Sequence, residues 1–493
     1  MGPKHRRPTP GADGPPFDLA IELPARGSRQ LGRDLHRQLR SAIVGGRLHP
    51  GVRLPATREL AAALDVSRNT VVTAYDLLLS EGYVRAGGRA GTVVADFLSA
   101  PLRRTRPKLD RAGDARLSAA WRSAPSPIAT GRLKGRHFDF RVGLPELESF
   151  PFAVWRRLAG RALRAASRVP AGYGEPEGRR ALREAIAGHI SFARAIACRA
   201  DEVVVTAGAQ QAFDLIARIL VTPGKTTVAI EDPGYRPLRN VLMTAGAKLA
   251  AVPVDAEGLR VDRLPRNAKV ICVTPSHQFP LGVHLSLARR KALLEFARTH
   301  GAVIVEDDYD GEFRFAGQPL DALQTLDRGE AVFYVGTFSK SLFPALRLGF
   351  VIAPPWARGA LIAAKQLSDW HAPLVSQDIL AAFIAEGHLA RHVRRMRKVY
   401  GERRDALQNA LRAFCGSRLR VVGIGAGLHL ATYLERRLSA SAVIDRAREA
   451  GVLIDAIQQF SAADRKSDGL VFGYGAIASR EIADGVRRLA RSM

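Results

Sequence analysis

Hydrophobic positions change their spacing along the chain. Near the start, Leu31, Leu35, Leu39 and Ile43 recur at every fourth residue, which places them on one face of a helix. Beyond about residue 137, short apolar runs alternate with amphipathic segments instead. The pattern therefore predicts a small helical unit followed by a larger α/β unit.

The small unit continues with two more helices and a hairpin. Thr57 and Ser67 are residues of the kind that cap helices, and an amphipathic segment follows each of them. Two short β segments come next, with the glycine-rich tip Ala86–Gly91 between them. Two short helices joined by a tight turn form a helix-turn-helix, and the hairpin adds a wing. We therefore predict a winged helix-turn-helix.

The large unit has the pattern of a three-layer α/β domain with a mostly parallel sheet. Strands and helices are predicted in alternation over Val203–Thr206, Gln210–Leu220, Thr227–Ile230, Pro237–Thr244 and Lys248–Val252. We expect a small α+β part at its C-terminal end. The predicted segments are a flexible, Pro- and Gly-rich tail over residues 1–18, the winged helix over 19–95, a basic linker over 96–136 and the α/β domain over 137–493.

The net charge of +27 is densest towards the N-terminus. Residues 1–136 contain 24 Lys and Arg against 11 Asp and Glu, whereas residues 137–493 contain 50 against 36. Such a density fits a polyanion such as DNA, because each neutralised phosphate releases counterions. A generally arginine-rich composition is the alternative explanation.

The cysteines and the hydropathy indicate a location. Cys198, Cys272 and Cys415 are odd in number and widely spaced, which favours a reducing compartment over a disulfide framework. No run of 18 apolar residues occurs, and the first residues lack the apolar core of a secretory signal. We therefore expect a cytoplasmic protein that does not span a membrane.

One lysine follows a predicted buried strand. The apolar run Ala331–Val335 leads to Lys340, and Thr337, Ser339 and Arg347 are close to it in sequence. Ligand-binding residues of open α/β sheets gather at such strand ends. A desolvated lysine amine forms Schiff bases with carbonyl compounds, while hydroxyls and an arginine suit a phosphate. An aldehyde that carries a phosphate is pyridoxal phosphate; the alternative is an ordinary lysine in a loop.

A second strand end is acidic. Glu306–Asp310 follows another apolar run, and Asp307 lies 33 residues before Lys340, so both strand ends can lie side by side. A carboxylate at the pyridine nitrogen keeps that nitrogen protonated, and Tyr309 can reach the ring oxygen. The alternatives are a solvated acidic turn or a metal site. We predict no metal, because nothing nearby supplies the histidines that transition metals prefer.

Three more strand ends carry suitable groups. Ala209 and Gln210 open a helix directly after a strand, where backbone amides bind anions. Tyr235 offers an aromatic face to a planar ring. His277 and Gln278 offer polar side chains, although a lone histidine is more often structural. We expect all of these groups in the same layer of strand ends.

The start of the third helix is polar. In helix-turn-helix proteins that end enters the major groove, where arginine and asparagine read base edges. An arginine that opens the second helix lies near the phosphates, and the wing glycines allow a close approach. The candidate DNA contacts are Arg58, Ser67, Arg68, Asn69, Thr70, Gly87 and Gly88, together with Arg89. The alternative is a winged helix that serves protein contacts.

Residues 31–95 resemble a GntR-type winged helix. Gly51–Leu60, Val66–Tyr75 and Leu79–Val84 carry this resemblance. Residues 137–493 are similar to fold-type-I pyridoxal phosphate enzymes of the aminotransferase class. The joint order of winged helix, basic linker and aminotransferase-like domain resembles the MocR subgroup of the GntR transcription regulators.

The resemblance implies a role for each matching residue. The implied contacts are Lys340 as the Schiff-base lysine, Asp307 at the pyridine nitrogen, Tyr309 at the ring hydroxyl, Tyr235 stacked on the ring, His277 and Gln278 flanking it, and Ala209, Gln210, Thr337, Ser339 and Arg347 around the phosphate. Tyr173 would reach the phosphate of the partner subunit. The resemblance also implies a head-to-tail homodimer in which each winged helix rests on the other chain's large domain.

The C-terminal strand departs from the aminotransferase pattern. Aminotransferases place an arginine for the substrate carboxylate there, whereas Asp468–Gly475 is apolar at that point. Arg480 lies beyond the strand, and Arg236 and Arg239 are the other available cations. This puts full transamination in doubt more than it does cofactor binding.

Two functions follow from these features. In the first, the chain is a sequence-specific regulator that binds double-stranded DNA and senses pyridoxal phosphate, an amine or an amino acid. In the second, it is a working aminotransferase with an appended DNA-binding domain. The winged helix and the missing arginine favour the first. An apo scaffold is disfavoured because Lys340, Asp307 and Arg347 occur together.

Replacing Arg68 by alanine tests the predicted base contact. If Arg68 reads a guanine, the variant should lose about 1–3 kcal/mol of binding free energy at one base position. Affinities for a set of single-base operator variants measure this loss. Equal weakening on every sequence would instead assign Arg68 to a phosphate.

Overall fold

The structure divides into two compact units, one within Met1–Arg111 and one within Ala112–Met493. It is a computed structural model that describes residues 21, 23, 30–88, 91–96, 116–122, 137–168, 172–315, 321–328, 330–423, 425–462 and 468–493. The predicted tail over residues 1–18 therefore lies outside the described residues, and so does most of the predicted linker.

The first unit is a winged helix-turn-helix. It contains α1 (Leu31–Val44), α2 (Thr57–Leu64), α3 (Arg68–Ser80), β1 (Val84–Ala86) and β2 (Thr92–Val94). The two strands pair antiparallel as the wing. Leu35, Leu39 and Ile43 of α1 are buried in one apolar cluster with residues of α2, α3 and the wing. The predicted fold of this unit is confirmed.

The two predicted helix caps have different outcomes. Ser67 caps α3, because its hydroxyl accepts a hydrogen bond from the amide of Thr70 at 3.1 Å. The prediction that Thr57 caps α2 is wrong, since Thr57 is the first helical residue and Ala56 holds the cap position. The Glu59 carboxylate accepts the Ala56 amide at 3.1 Å. A carboxylate three residues after the cap satisfies that amide instead.

The second unit alternates strands and helices before a mixed C-terminal part. Its first elements are α4 (Ala119–Arg122), β3 (Phe138–Asp139), α5 (Phe152–Ala166) and α6 (Arg180–Arg194). The alternating part contains β4 (Val203–Thr206), α7 (Ala209–Leu220), β5 (Thr227–Asp232), α8 (Arg236–Thr244), β6 (Lys248–Asp255), β7 (Gly258–Leu259), β8 (Ala268–Val273), α9 (Leu287–His300), β9 (Val303–Asp308), α10 (Leu323–Leu326), β10 (Val332–Thr337) and β11 (Gly349–Ile352). The last part contains α11 (Pro355–Asp369), α12 (Leu374–Ala385), α13 (His388–Cys415), β12 (Leu419–Val422), β13 (His429–Leu434), α14 (Ala440–Glu449), β14 (Val452–Leu453), β15 (Asp455–Ala456), β16 (Gly469–Gly473) and α15 (Ser479–Arg491).

An eight-stranded sheet forms the middle layer of the second unit, in the order β4-β11-β10-β9-β8-β5-β6-β7. Strands β10, β9, β8, β5 and β6 run parallel, and β11 lies antiparallel to β10 and β4. The predicted α/β fold with a mostly parallel sheet is confirmed. Because parallel strands end at one edge, the segments after β5, β8, β9 and β10 meet there.

The C-terminal part contains a four-stranded sheet in the order β12-β13-β16-β15. Helices α13 and α15 pack against each other beside it, which matches the predicted small α+β part. Strand β3 pairs parallel with β14, so the segment that follows β3 is tied to this part. None of the helices in the described part of the chain is long and apolar enough to cross a membrane.

Phe140 tests the packing of this part. It follows β3, is fully buried, and lies with its ring centroid 5.9 Å from that of Phe472 on β16. Phe140→Ala should lower the free energy of unfolding by about 3–5 kcal/mol, because it removes contacts and leaves a cavity. Denaturant unfolding measures this change. Phe192→Ala is the control, since Phe192 is 93% exposed, and equal losses in both variants would contradict the packing.

Candidate functional site

The edge where the parallel strands end opens into a cavity of about 470 Å³. The predicted residues that line it are Lys340, Asp307, Tyr309, Tyr235, Ala209, Gln210, Thr337, Ser339 and Arg347. These residues are far apart in sequence and follow different strands. The fold therefore brings together most of the side chains that the strand-end patterns singled out.

Lys340 lies three residues after β10, and its side chain lines the cavity. Its Nζ donates a hydrogen bond to the carbonyl of Gly143 at 2.7 Å. Burial lowers the pKa of Lys340, and Arg347 adds to this, while Asp310 and Asp307 oppose it. A buried amine with a lowered pKa is the form of lysine that acts as a nucleophile.

Asp307 is a buried carboxylate with an unsatisfied oxygen. It lies on β9, and its Oδ1 has no hydrogen-bond partner among the described residues. Burial raises the pKa of Asp307 well above its usual range, and the charges of Asp308 and Asp310 act in the same direction. A facing cation would reverse this shift. The protonated nitrogen of a pyridine ring is such a cation.

The N-terminus of α7 and Arg347 also line the cavity. Arg347 donates to the carbonyl of Ala207 at 2.7 Å. Gly208, with φ +80°, precedes the helix, and a Cβ there would lie 2.9 Å from the Arg347 guanidinium. A side chain at Gly208 would therefore separate the arginine from the helix amides. Helix amides beside a guanidinium suit a phosphate, and the Thr337 hydroxyl lies nearby in the same lining.

Tyr309 is hydrogen-bonded to a buried histidine, His277. The Tyr309 hydroxyl donates to the carbonyl of His277 at 2.9 Å, and His277 Nδ1 lies 2.9 Å from the Asp310 carboxylate. His277, Asp310 and His429 bring potential metal-ligating atoms within 4.8 Å of one another. His277 and Asp310 are joined by a hydrogen bond at Nδ1, whereas the Nε2 atoms of His277 and His429 are buried without a hydrogen-bond partner among the described residues.

Three predicted cofactor contacts lie outside the cavity of the single chain. His277 and Gln278 are buried behind it, and the Gln278 amide donates to the carbonyl of Pro233 at 2.8 Å. Neither residue lines the cavity, and their role in flanking the ring stays a prediction. Tyr173 is 78% exposed and stacks on Trp370 with ring centroids 4.5 Å apart.

Several lining residues escaped the sequence analysis. They come from the segment after β3, the loop after β8 and the C-terminal part, and they are Arg141, Gly143, Phe279, Leu428, His429, Asp455, Gln459 and Phe460. His429 lies on β13 within an otherwise apolar run, and burial lowers its pKa well below the usual range. A polar residue in an apolar strand was the one signal that the sequence offered for this group.

The candidate DNA contacts lie at the start of α3, at the start of α2 and on the wing. Arg58, Ser67, Arg68 and Asn69 are exposed. Thr70 and Gly87 are half buried, and Gly88 is exposed with φ +59°. Arg89 lies outside the described residues. The polar helix start is thus open to a ligand, while Ser67 also serves as the helix cap.

Two family models match the chain. The model described as aminotransferase class I and II matches residues 139–471. The model described as bacterial regulatory proteins, gntR family, matches residues 31–94. The fold and the site thus define a class of protein in which a GntR winged helix precedes a pyridoxal phosphate-dependent, aminotransferase-like domain.

Three known proteins are similar to the chain over most of their length. The chain is 37% identical to the probable rhizopine catabolism regulatory protein MocR of Rhizobium meliloti, over 93% of each chain. It is 30% identical to the HTH-type pyridoxine biosynthesis transcriptional regulator PdxR of Corynebacterium glutamicum, over 93% of this chain and 95% of the relative. The structure of LysN, an α-aminoadipate aminotransferase from Thermus thermophilus, matches with a TM-score of 0.67 at 32% identity, over 72% of this chain and 92% of that one.

The chain belongs to the MocR-type regulators of the GntR family. It is a DNA-binding transcription regulator with an aminotransferase-like domain, as the sequence resemblance predicted. Pyridoxal phosphate is the cofactor of this domain. The unsatisfied oxygen of Asp307 and the close approach of Arg347 to Gly208 fit this cofactor.

Lys340→Ala tests the covalent attachment of the cofactor. Because we assign the reactive amine to Lys340, the variant should lose the visible absorbance of lysine-linked pyridoxal phosphate after loading and dialysis. Absorption spectra of the purified proteins measure this. Lys291→Ala is the control, since Lys291 is exposed on α9, and the band should persist there. A band that survives in Lys340→Ala would remove the assignment.

Proposed function

We propose that the chain senses pyridoxal phosphate, an amine or an amino acid at its cavity and reports it through a change in DNA affinity. The observation that carries this proposal is the convergence of Lys340 and Asp307 on one cavity. The same chain exposes the polar start of α3 for DNA. A ligand that favours one arrangement of such a regulator shifts its DNA-binding equilibrium.

The chain's own residues would orient the cofactor in this proposal. Arg347 and the amides of α7 hold the phosphate, Asp307 holds the ring nitrogen, and Tyr309 faces the ring hydroxyl. Tyr235 covers the ring face and is itself braced edge-on by Phe279, with ring centroids 5.5 Å apart. Bound pyridoxal phosphate supplies an aldehyde carbon that reacts with primary amines.

The apolar C-terminal strand supports sensing over turnover. Leu470, Val471 and Phe472 of β16 are all fully buried, so this strand offers no cation for the carboxylate of an α-amino acid. An enzyme accelerates a reaction by holding its substrate in a reactive geometry. Without that cation, β16 does not provide the carboxylate contact that aminotransferases make at this strand.

A homodimer is part of the proposal. Tyr173 and Trp370 form a stacked pair that is largely exposed, and Leu367 is 86% exposed. Exposed apolar groups of this size mark interaction surfaces, and a second copy of the chain is the partner that we propose, arranged head to tail. Tyr173 would then complete the phosphate site of the partner subunit.

The proposed organisation keeps a tail over residues 1–18, the DNA-binding domain over 19–95, a linker over 96–136 and the sensing domain over 137–493. Cys198, Cys272 and Cys415 are all unpaired, which is typical of proteins in a reducing compartment. We therefore propose that the regulator works in the cytoplasm.

A working aminotransferase is the second candidate. The similarity to LysN favours it, as does the presence of Lys340, Asp307 and Arg347 in one cavity. Transfer of an amino group from candidate amino acids to a 2-oxo acid, followed by chromatography, distinguishes turnover from sensing.

DNA affinity measured with and without ligand tests the proposed function. An operator is first selected from genomic fragments, and its dissociation constant is then measured by fluorescence anisotropy at fixed salt. We expect pyridoxal phosphate, or an amine added to the loaded protein, to change this constant by about 5–150-fold, the usual range of allosteric coupling.

Lys340→Ala provides the control for this experiment. Because the substitution leaves the winged helix intact, the variant should bind the operator but lose the response to amines. A wild-type protein whose operator affinity is unchanged by the cofactor and by every amine, and which turns over amino acids, would contradict the proposal in favour of the enzyme.

A further inference from the structure

One cation that lines the cofactor cavity has neither a hydrogen-bond partner among the described residues nor a role in the cofactor site. The Lys and Arg side chains that line it are Arg141, Arg236, Lys340 and Arg347. Arg141 is engaged with Asp139, through hydrogen bonds of 2.9 and 2.6 Å to the two carboxylate oxygens. Lys340 and Arg347 belong to the cofactor site described above. Arg236 is the cation that has no role so far.

Arg236 is the first residue of α8 and directly follows Tyr235. Its side chain is half buried at the cavity. It forms neither a hydrogen bond nor a salt bridge with any residue in the described part of the chain. Its charge instead adds to burial in lowering the pKa of Arg239, so the cations on this helix repel each other. An anion from outside the chain would relieve that repulsion.

The acidic groups of the cavity have other partners. Asp310 bonds to His277 at 2.9 Å, and Asp455 accepts the amide of Val142 at 3.0 Å. Asp307 faces the position of the ring nitrogen. None of these carboxylates is paired with Arg236. Since β16 supplies no arginine either, Arg236 at the start of α8 is the cation that is available to the acid group of an effector.

We propose that Arg236 binds the carboxylate of the effector, which makes the effector an amino acid rather than a simple alkylamine. This inference rests on the proposed function, because it names the class of molecule that the sensing site takes. A guanidinium holds both oxygens of a carboxylate at once. Its half-buried position strengthens the attraction relative to a charge in open water.

Arg239 is a matched control on the same helix. It lies three residues after Arg236, is also half buried, and carries the same charge. It lines a small separate cavity beside Glu231 and not the cofactor cavity. Replacing Arg239 by glutamine therefore removes a positive charge from α8 without altering the cofactor cavity.

The test compares amines that differ only in a carboxylate. The loaded wild-type protein, Arg236→Gln and Arg239→Gln are titrated with β-alanine against propan-1-amine, and with 5-aminopentanoate against pentan-1-amine. The change in cofactor absorbance gives each dissociation constant. We expect wild type and Arg239→Gln to prefer the acid in at least one pair by about tenfold to a hundredfold, the value of a charge-assisted hydrogen bond. Arg236→Gln should lose that preference and keep its affinity for the alkylamine.

The other outcomes overturn the inference in distinguishable ways. An acid preference that survives in Arg236→Gln, or a wild type that binds both members of each pair equally, removes the role of Arg236 and leaves the amine sensor intact. Loss of the cofactor band in Arg236→Gln alone would assign this arginine to the phosphate. A loaded wild type that responds to none of the four compounds contradicts amine sensing as well.

Discussion

The burial of one carboxylate at the end of β9 is the constraint on which the site depends. A buried charge is costly unless a counter-charge accompanies it. Asp308 forms an ion pair with Arg194 at 2.6 Å, and Asp310 is hydrogen-bonded to His277, so both of these acids have partners within the protein. Asp307 faces the cavity with an unsatisfied oxygen. The fold therefore leaves this carboxylate short of a partner, and we propose that the ring nitrogen of the cofactor supplies the positive charge beside it.

The strand-end residues were predictable because topology does most of the positioning. Lys340 and Asp307 each follow an apolar run, and parallel strands deliver the residues after such runs to a common edge. Gln278 follows the same rule, yet it turns away from the cavity because its amide bonds to backbone carbonyls. Arg141 and Asp455 come from segments that converge through the pairing of β3 with β14. No local pattern encodes a contact between segments so far apart in sequence.

The helices, too, were predictable only in part. The bounds of α1 follow from its four-residue repeat and from Gly45 and Gly46 behind it. The cap of α2 was mispredicted, because Glu59 reaches back to the amide of Ala56 and the helix begins with Thr57 itself. Periodicity thus defines where a helix lies, whereas its first turn depends on individual hydrogen bonds that composition does not specify.

The winged helix has an apolar core of its own. Fifteen of its buried residues, from Ile21 to Val94, form one cluster, and none of them belongs to the clusters described in the large unit. A domain with a complete core keeps its fold when it is grafted onto a different ligand-binding unit. The winged helix is therefore a transferable module. In evolution, the ligand-binding domain that follows it in the chain can be exchanged without changes to the residues that contact the operator.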